Sequence, residues 1–168
     1  MKNSFPKLFF FYFQALLLTS NILISSAAYA QSIKQLEYEC NLNNYHSCGM
    51  LGQMHIMGKD VPLDLFKGID LLKKSCSGNI DASCWLLGQK YQYGEGVRQD
   101  SLKALDLYQK ACNSGLYLAC NDMGFLYLVG TGISQNKSKA LEAYGRACDL
   151  KNETGCKEYA NLKKQGVR

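Results

Sequence analysis

Cysteine is the residue type with the greatest chemical potential in this 168-residue chain, and its eight copies are regularly spaced. They form four pairs whose members lie eight positions apart: Cys40 and Cys48, Cys76 and Cys84, Cys112 and Cys120, Cys148 and Cys156. Corresponding members of successive pairs are 36 residues apart. Every cysteine therefore belongs to one repeated pattern, whereas a single active site would not recur in this way.

Paired cysteines could bind a metal ion or form disulfides. Structural zinc sites usually have two to four residues between paired cysteines, whereas these pairs have seven. An even number of cysteines in regular pairs is typical of the disulfide framework of an exported protein. The sequence therefore favours four disulfides over metal ligation, and we expect neither a metal nor a cofactor.

Few other residues are candidates for catalysis. His46 and His55 are the only histidines, and His55 aligns with Tyr91 one period later, which indicates a packing role. Ser134-Gln-Asn-Lys137 fits the S-x-x-K pattern of serine β-lactamases, but neither the S-D-N nor the K-T-G element accompanies it. A pattern with two fixed positions is easily met by chance, so no catalytic residue is assigned.

The 36-residue period extends to the rest of the sequence. Residues 49–58, 85–94, 121–130 and 157–166 align without a gap, and each segment ends in glycine. A fixed period of this length is typical of a solenoid of stacked helix pairs. We predict helices A over 45–57, 81–93, 117–129 and 153–165, and helices B that begin after Asp64, Asp100 and Asn136 and run to about Cys76, Cys112 and Cys148.

Residues at the helix ends support these boundaries. Gly58, Gly94 and Gly130 stand where a helix C-terminus favours left-handed backbone, and Asp and Asn are good N-caps. Each cysteine pair would then join the end of a helix B to the start of the next helix A. Residues 32–42 and 153–165 are expected to be single capping helices. We also predict i,i+4 ion pairs on the solvated face: Asp70–Lys74, Asp106–Lys110 and Glu142–Arg146.

The first 30 residues have a different character. Lys2 and Lys7 precede an apolar run from Leu8 to Ile24, and Ala28-Tyr29-Ala30 provides the small residues of a cleavage site. We predict a cleavable signal peptide over 1–30 and a single domain over 31–168; a retained membrane anchor is the alternative. Residues 31–168 carry a net charge of +3, too weak and too evenly spread to indicate nucleic-acid binding. The mature protein is expected to be secreted or periplasmic, with no membrane association.

Four segments resemble the Sel1-like repeat, a relative of the tetratricopeptide repeat: Gly94-Glu-Gly-Val97, Asp100, Lys103-Ala104 and Tyr108-x-Lys-Ala-Cys112. Together with the cysteine pairs, they make residues 31–168 similar to the Helicobacter cysteine-rich protein family. The resemblance implies an all-α fold, a right-handed α-α superhelix of about three full helix pairs with half-repeat caps, and a disulfide at each B-to-A junction. It also implies secretion. Members are described as penicillin-binding proteins with weak β-lactamase activity and as host-interacting secreted proteins.

Positions of helix A that differ between repeats, while the framework stays constant, are the candidates for binding. These positions predict a ligand-binding patch on the concave face, formed by Trp85, Gln89, Asn121, Asp122 and Phe125. Alternatively, Trp85 fills a local hydrophobic gap and the others are ordinary surface. The expected function is an exported, monomeric scaffold that binds a peptide, a cell-wall-like ligand, a β-lactam or a host protein. A weak β-lactamase, as the resemblance implies, is the alternative.

Overall fold

The computed structural model describes residues 32–168, so the predicted signal peptide over 1–30 lies outside the described residues. This part of the chain contains α-helices and no strands. The helices are α1 over 32–41, α2 Tyr45–Met57, α3 Leu65–Ser77, α4 Asp81–Tyr93, α5 Ser101–Asn113, α6 Tyr117–Val129, α7 Lys137–Asp149 and α8 Glu153–Lys164. The even-numbered helices are the predicted helices A, and the odd-numbered helices are the predicted helices B. The all-α solenoid prediction is confirmed, with α1 and α8 each ending one residue earlier than expected.

The linkers from helix A to helix B have the same backbone in each repeat. Gly58, Gly94 and Gly130 end their helices with φ of 61°, 73° and 78°. Two residues later the left-handed region recurs, at Asp60, Gly96 and Gly132. The side chains of Asp64, Asp100 and Asn136 then accept hydrogen bonds from the backbone N–H groups of Lys67, Lys103 and Lys139. The predicted caps are therefore confirmed, and they fix the start of each helix B.

Small residues allow the two helices of a pair to pack closely. A Cβ on Gly52 of α2 would lie 2.9 Å from the carbonyl oxygen of Gly68 in α3. In the next two pairs a tyrosine fills this space: a Cβ on Gly88 would lie 2.6 Å from the ring of Tyr108, and one on Gly124 would lie 2.9 Å from the ring of Tyr144. Each of these helices A therefore has a glycine where its helix B packs.

A continuous apolar core runs from α3 to α7. Leu72, Tyr108 and Leu126 are among its fully buried side chains. The Tyr108 hydroxyl donates a hydrogen bond of 2.6 Å to Oε1 of Gln92, and burial raises the pKa of Tyr108 far above its usual range. Burying a polar group is costly unless a hydrogen bond replaces the one that it made to water. The tyrosine therefore adds packing area to the core without an unpaired hydroxyl.

Disulfides join the end of each helix B to the first turn of the next helix A. The bridges are Cys40–Cys48, Cys76–Cys84, Cys112–Cys120 and Cys148–Cys156, with Cα–Cα distances of 4.7, 4.7, 4.8 and 4.4 Å. No cysteine is free. The first three bridges are buried, and the fourth is partly exposed. The periodic pairing predicted from the sequence is present at every junction.

The predicted i,i+4 ion pairs are wrong. Nζ of Lys74 donates instead to the carbonyl oxygen of Cys40, and Nζ of Lys110 to that of Cys76, both at 2.7 Å. Asp70 pairs with Lys73, three residues later. Glu142 and Arg146 form no ion pair within the described chain. The carbonyl groups at a helix C-terminus carry partial negative charge, so the lysines of one helix B bind the end of the preceding helix B.

Candidate ligand-binding face

Two neighbouring helices A are linked by a hydrogen bond between predicted patch residues. Nε1 of Trp85 in α4 donates to Oδ2 of Asp122 in α6 at 2.7 Å. Nε2 of Gln89 donates to the same oxygen at 3.4 Å. Trp85 and Gln89 lie one helical turn apart and therefore share a face of α4. The structure thus brings three of the five predicted residues into one polar cluster.

Burial of the Asp122 side chain controls its electrostatics. The pKa of the carboxyl is raised above its ordinary value of 3.8, because burial outweighs the opposing effect of the hydrogen bonds from Trp85 and Gln89. A carboxylate has about four acceptor positions, and these two donors use only part of them. Acceptor positions of the Asp122 carboxylate therefore remain unused within the described chain.

Asn121 adjoins Asp122 in sequence but contacts a different helix. Its Nδ2 donates to Oδ1 of Asn152 at 2.7 Å, and this same oxygen accepts from the backbone N–H of Gly155 at the start of α8. Oδ1 of Asn121 is buried without a hydrogen-bond partner. The structure gives Asn121 a packing contact between α6 and α8, and its part in ligand binding stays a prediction. Asn152 was not selected from the sequence, because its partner becomes evident only in three dimensions.

Exposed apolar side chains also occur on helices A, at helical spacing from members of the polar cluster in α4 and α6. Phe125 of α6 is 49% exposed. Met57, Tyr93 and Val129 occupy the last position of α2, α4 and α6, and are 61%, 62% and 49% exposed. Their 36-residue spacing is a signal that sequence reasoning could have used. We refer to one surface as the A-helix face: Trp85, Gln89, Tyr93, Asp122, Phe125 and Val129.

The remaining candidates for catalysis are His55, Ser134 and Lys137. His55 is buried, and its Nδ1 lies 3.2 Å from the carbonyl oxygen of Pro62, which agrees with the predicted packing role. Ser134 is exposed in the linker before α7, and Lys137 is the first residue of α7. In the described chain neither side chain has a hydrogen bond or an ion pair, so no base contacts the Ser134 hydroxyl.

Metal-binding clusters and membrane-spanning helices were sought within residues 32–168. No three histidine, cysteine or carboxylate side chains in this range lie close enough together to hold a metal ion. No helix in this range combines the length and the apolar character that a membrane span needs.

Stacked helix pairs, joined by a disulfide at every B-to-A junction, define the class of this protein as an all-helical repeat solenoid. The sequence matches the model of the Sel1 repeat over residues 46–80, 81–116 and 118–152, which is more than half of the chain. The chain belongs to the Sel1 repeat family. A comparison with curated proteins finds no match.

Solved structures show the same architecture. The cysteine rich protein B of Helicobacter pylori is 26% identical with a TM-score of 0.60, over 78% of this chain and 94% of that one. A Sel1 repeat protein from Oxalobacter formigenes is 23% identical with a TM-score of 0.77, over 90% of this chain and 63% of that one. A protective antigen of uropathogenic Escherichia coli is 25% identical with a TM-score of 0.70, over 73% of this chain. The match spans only 26% of the Escherichia coli antigen.

Proposed function

We propose that this protein is an exported interaction scaffold that binds a peptide on its A-helix face. The observation that carries the proposal is the combination of exposed Tyr93, Phe125 and Val129 with the Trp85–Asp122 hydrogen bond on adjoining helices A. Repeat solenoids use such extended surfaces for binding. Aromatic residues are enriched among those that dominate binding energy.

A peptide fits the chemistry of this surface. Its apolar side chains can cover Phe125 and Val129, at about 25 cal/mol for each Å² of apolar surface removed from water. Its backbone N–H groups can donate to the unused acceptor positions of Asp122. Peptide stems of the cell wall and β-lactams are also amides, so they are the alternative ligands of the same surface, and a host protein could present such a peptide.

The disulfides support export. Structural disulfides form and persist in oxidising compartments, and are rare where thiols are kept reduced. All eight cysteines of this chain are paired. The periplasm and the extracellular medium both meet this condition, in agreement with the signal peptide predicted over residues 1–30.

The tryptophan in the A-helix face allows a direct binding test, because Trp85 is the only tryptophan in the chain. We expect a saturable change in its fluorescence when residues 31–168 are titrated with a peptide selected on the immobilised domain. A muramyl peptide and benzylpenicillin serve as the cell-wall and β-lactam arms. Binding that is detected by calorimetry but leaves the emission of Trp85 unchanged would contradict the proposal. The absence of binding in every arm would contradict it as well.

The β-lactam arm also tests the enzymatic alternative. We expect no turnover of a chromogenic cephalosporin above that of the heat-inactivated protein, because no base contacts Ser134 in the described chain. Turnover that disappears in Ser134→Ala would instead identify a hydrolase. Turnover that survives Ser134→Ala would also contradict a pure binding role, and would assign the chemistry to other residues.

A further inference from the structure

Grooves separate successive helices B, and a helix A forms the floor of each groove. The groove between α3 and α5, here the central groove, is a cavity of about 620 Å³. Its walls include Lys73 of α3 and Lys103 of α5, and its floor includes Leu87 of α4. The equivalent groove between α1 and α3, here the first groove, is smaller, at about 340 Å³. The two can be compared residue by residue because the repeat has no gaps.

The two grooves differ in the charges that face each other across them. In the first groove Nζ of Lys67 lies 3.7 Å from Oε1 of Glu37 on the opposite wall. One period later these positions are Lys103 and Lys73. A cross-groove ion pair is therefore replaced by two cations, and neither can neutralise the other.

Local partners leave the central groove positively charged. Lys103 lies over the ring of Tyr91, with Nζ 4.5 Å from its centre. Lys110 donates to a carbonyl oxygen, which does not cancel its charge. Lys73 pairs with Asp70 of its own helix, and Asp106 is the carboxylate among the lining residues. With Asp70 counted beside Asp106, three lysines face two carboxylates, so the groove keeps an excess of one positive charge.

The groove one period further on lacks this arrangement. Gln109 takes the place of Lys73, and Lys139 lies over the ring of Tyr127 as Lys103 does over Tyr91. Among the three grooves of the described chain, cations stand at both of these wall positions in the central one alone.

We propose that the central groove binds an acidic peptide segment, separate from the ligand of the A-helix face. A carboxylate of the segment binds between Lys73 and Lys103, and a neighbouring aliphatic side chain packs on the partly buried Leu107, above the buried Leu87. Opposite charges placed across an interface favour association and specify the partner. A peptide fits better than an anionic glycan because Leu87 and Leu107 have no polar side-chain atoms to pair with sugar hydroxyl groups.

The test uses a labelled peptide of alternating Glu and Leu, with a Gln and Leu peptide as the uncharged control. Binding to residues 31–168 is followed by fluorescence anisotropy. Lys73→Glu restores the charge pattern of the first groove, so that position 73 can pair with Lys103. We expect Kd for the acidic peptide to rise about tenfold or more. Lys137→Glu changes the net charge equally at the exposed start of α7, and should alter Kd less than about twofold.

Several results would overturn the proposal. Equal weakening by Lys137→Glu would show attraction to overall charge, and equal binding of the Gln and Leu peptide would show that the carboxylates are irrelevant. Tighter binding of a sulfated oligosaccharide would assign the groove to a glycan. If Lys73→Glu lowers the melting temperature, Lys103→Met provides the second test, because it keeps an apolar stem over Tyr91 and removes the charge. Unchanged Kd in that variant would also overturn the proposal.

Discussion

At the scale of the residue, Asp122 supplies the carboxyl group of the A-helix face. Its carboxylate accepts from Trp85 and Gln89, yet burial still raises its pKa. The sequence identified these three residues because they vary between repeats. It could not reveal their hydrogen bonds, because the choice of partner depends on how α4 and α6 are placed side by side.

The pKa of Asp122 can be followed through Trp85. We expect a transition in tryptophan fluorescence with a midpoint above the ordinary value of 3.8, because the indole N–H donates to the titrating carboxylate. Asp122→Asn keeps an acceptor but cannot ionise, so it should abolish the transition. A midpoint at or below 3.8, or an unchanged transition in Asp122→Asn, would disagree with the structure.

The same shift has a consequence for stability, with a definite sign. The folded-state pKa of Asp122 lies above the unfolded value, so the folded state binds the proton more tightly. Its contribution to stability is full below the unfolded pKa and is lost as pH rises through the folded pKa. The melting temperature of Asp122→Asn, measured relative to that of the parent protein, should therefore be higher at pH 7 than at pH 3.

At the scale of the element, the B-to-A junction is the unit that repeats. A disulfide closes each junction, and at Lys74 and Lys110 a lysine also binds the end of the preceding helix B. Helix boundaries were predictable because period, N-caps and glycines agree at each position. The predicted pairs of Lys74 and Lys110 were not reliable from i,i+4 spacing, because a carbonyl on a neighbouring helix competes for the same ammonium group.

Removing one disulfide at a time should show how much each B-to-A junction contributes to the stability of the protein. A closed loop this short contributes about 2–3 kcal/mol in the chain-entropy model. We expect Cys112→Ala/Cys120→Ala to lower the melting temperature by about 10 °C, and Cys40→Ala/Cys48→Ala to lower it less, because the latter bridge holds only α1. Both pairs are buried, so the two variants are matched. Equal losses by calorimetry would argue against stacked units that stabilise their neighbours.

At the scale of the whole molecule, the described chain presents two distinct surfaces on one framework. The A-helix face combines apolar side chains with a hydrogen-bonded acid, whereas lysines outnumber carboxylates in the central groove between helices B. The framework repeats every 36 residues, so both surfaces arise where individual repeats differ from it. The 36-residue spacing was sufficient to predict the stacked helix pairs, and the family was predicted from the resemblance of the glycine and cysteine motifs. The surfaces required the structure, because they depend on contacts between different repeats.

The most direct test of the proposed function compares one peptide ligand on two matched double variants. Tyr93→Ala/Phe125→Ala removes exposed side chains from the A-helix face, and Phe66→Ala/Leu102→Ala removes exposed side chains of similar size from α3 and α5. With a peptide selected on the parent domain, we expect Kd by calorimetry to rise at least about tenfold in the first variant and to stay within about twofold in the second. Equal affinity for both variants, or a loss confined to the second, would contradict binding on the A-helix face.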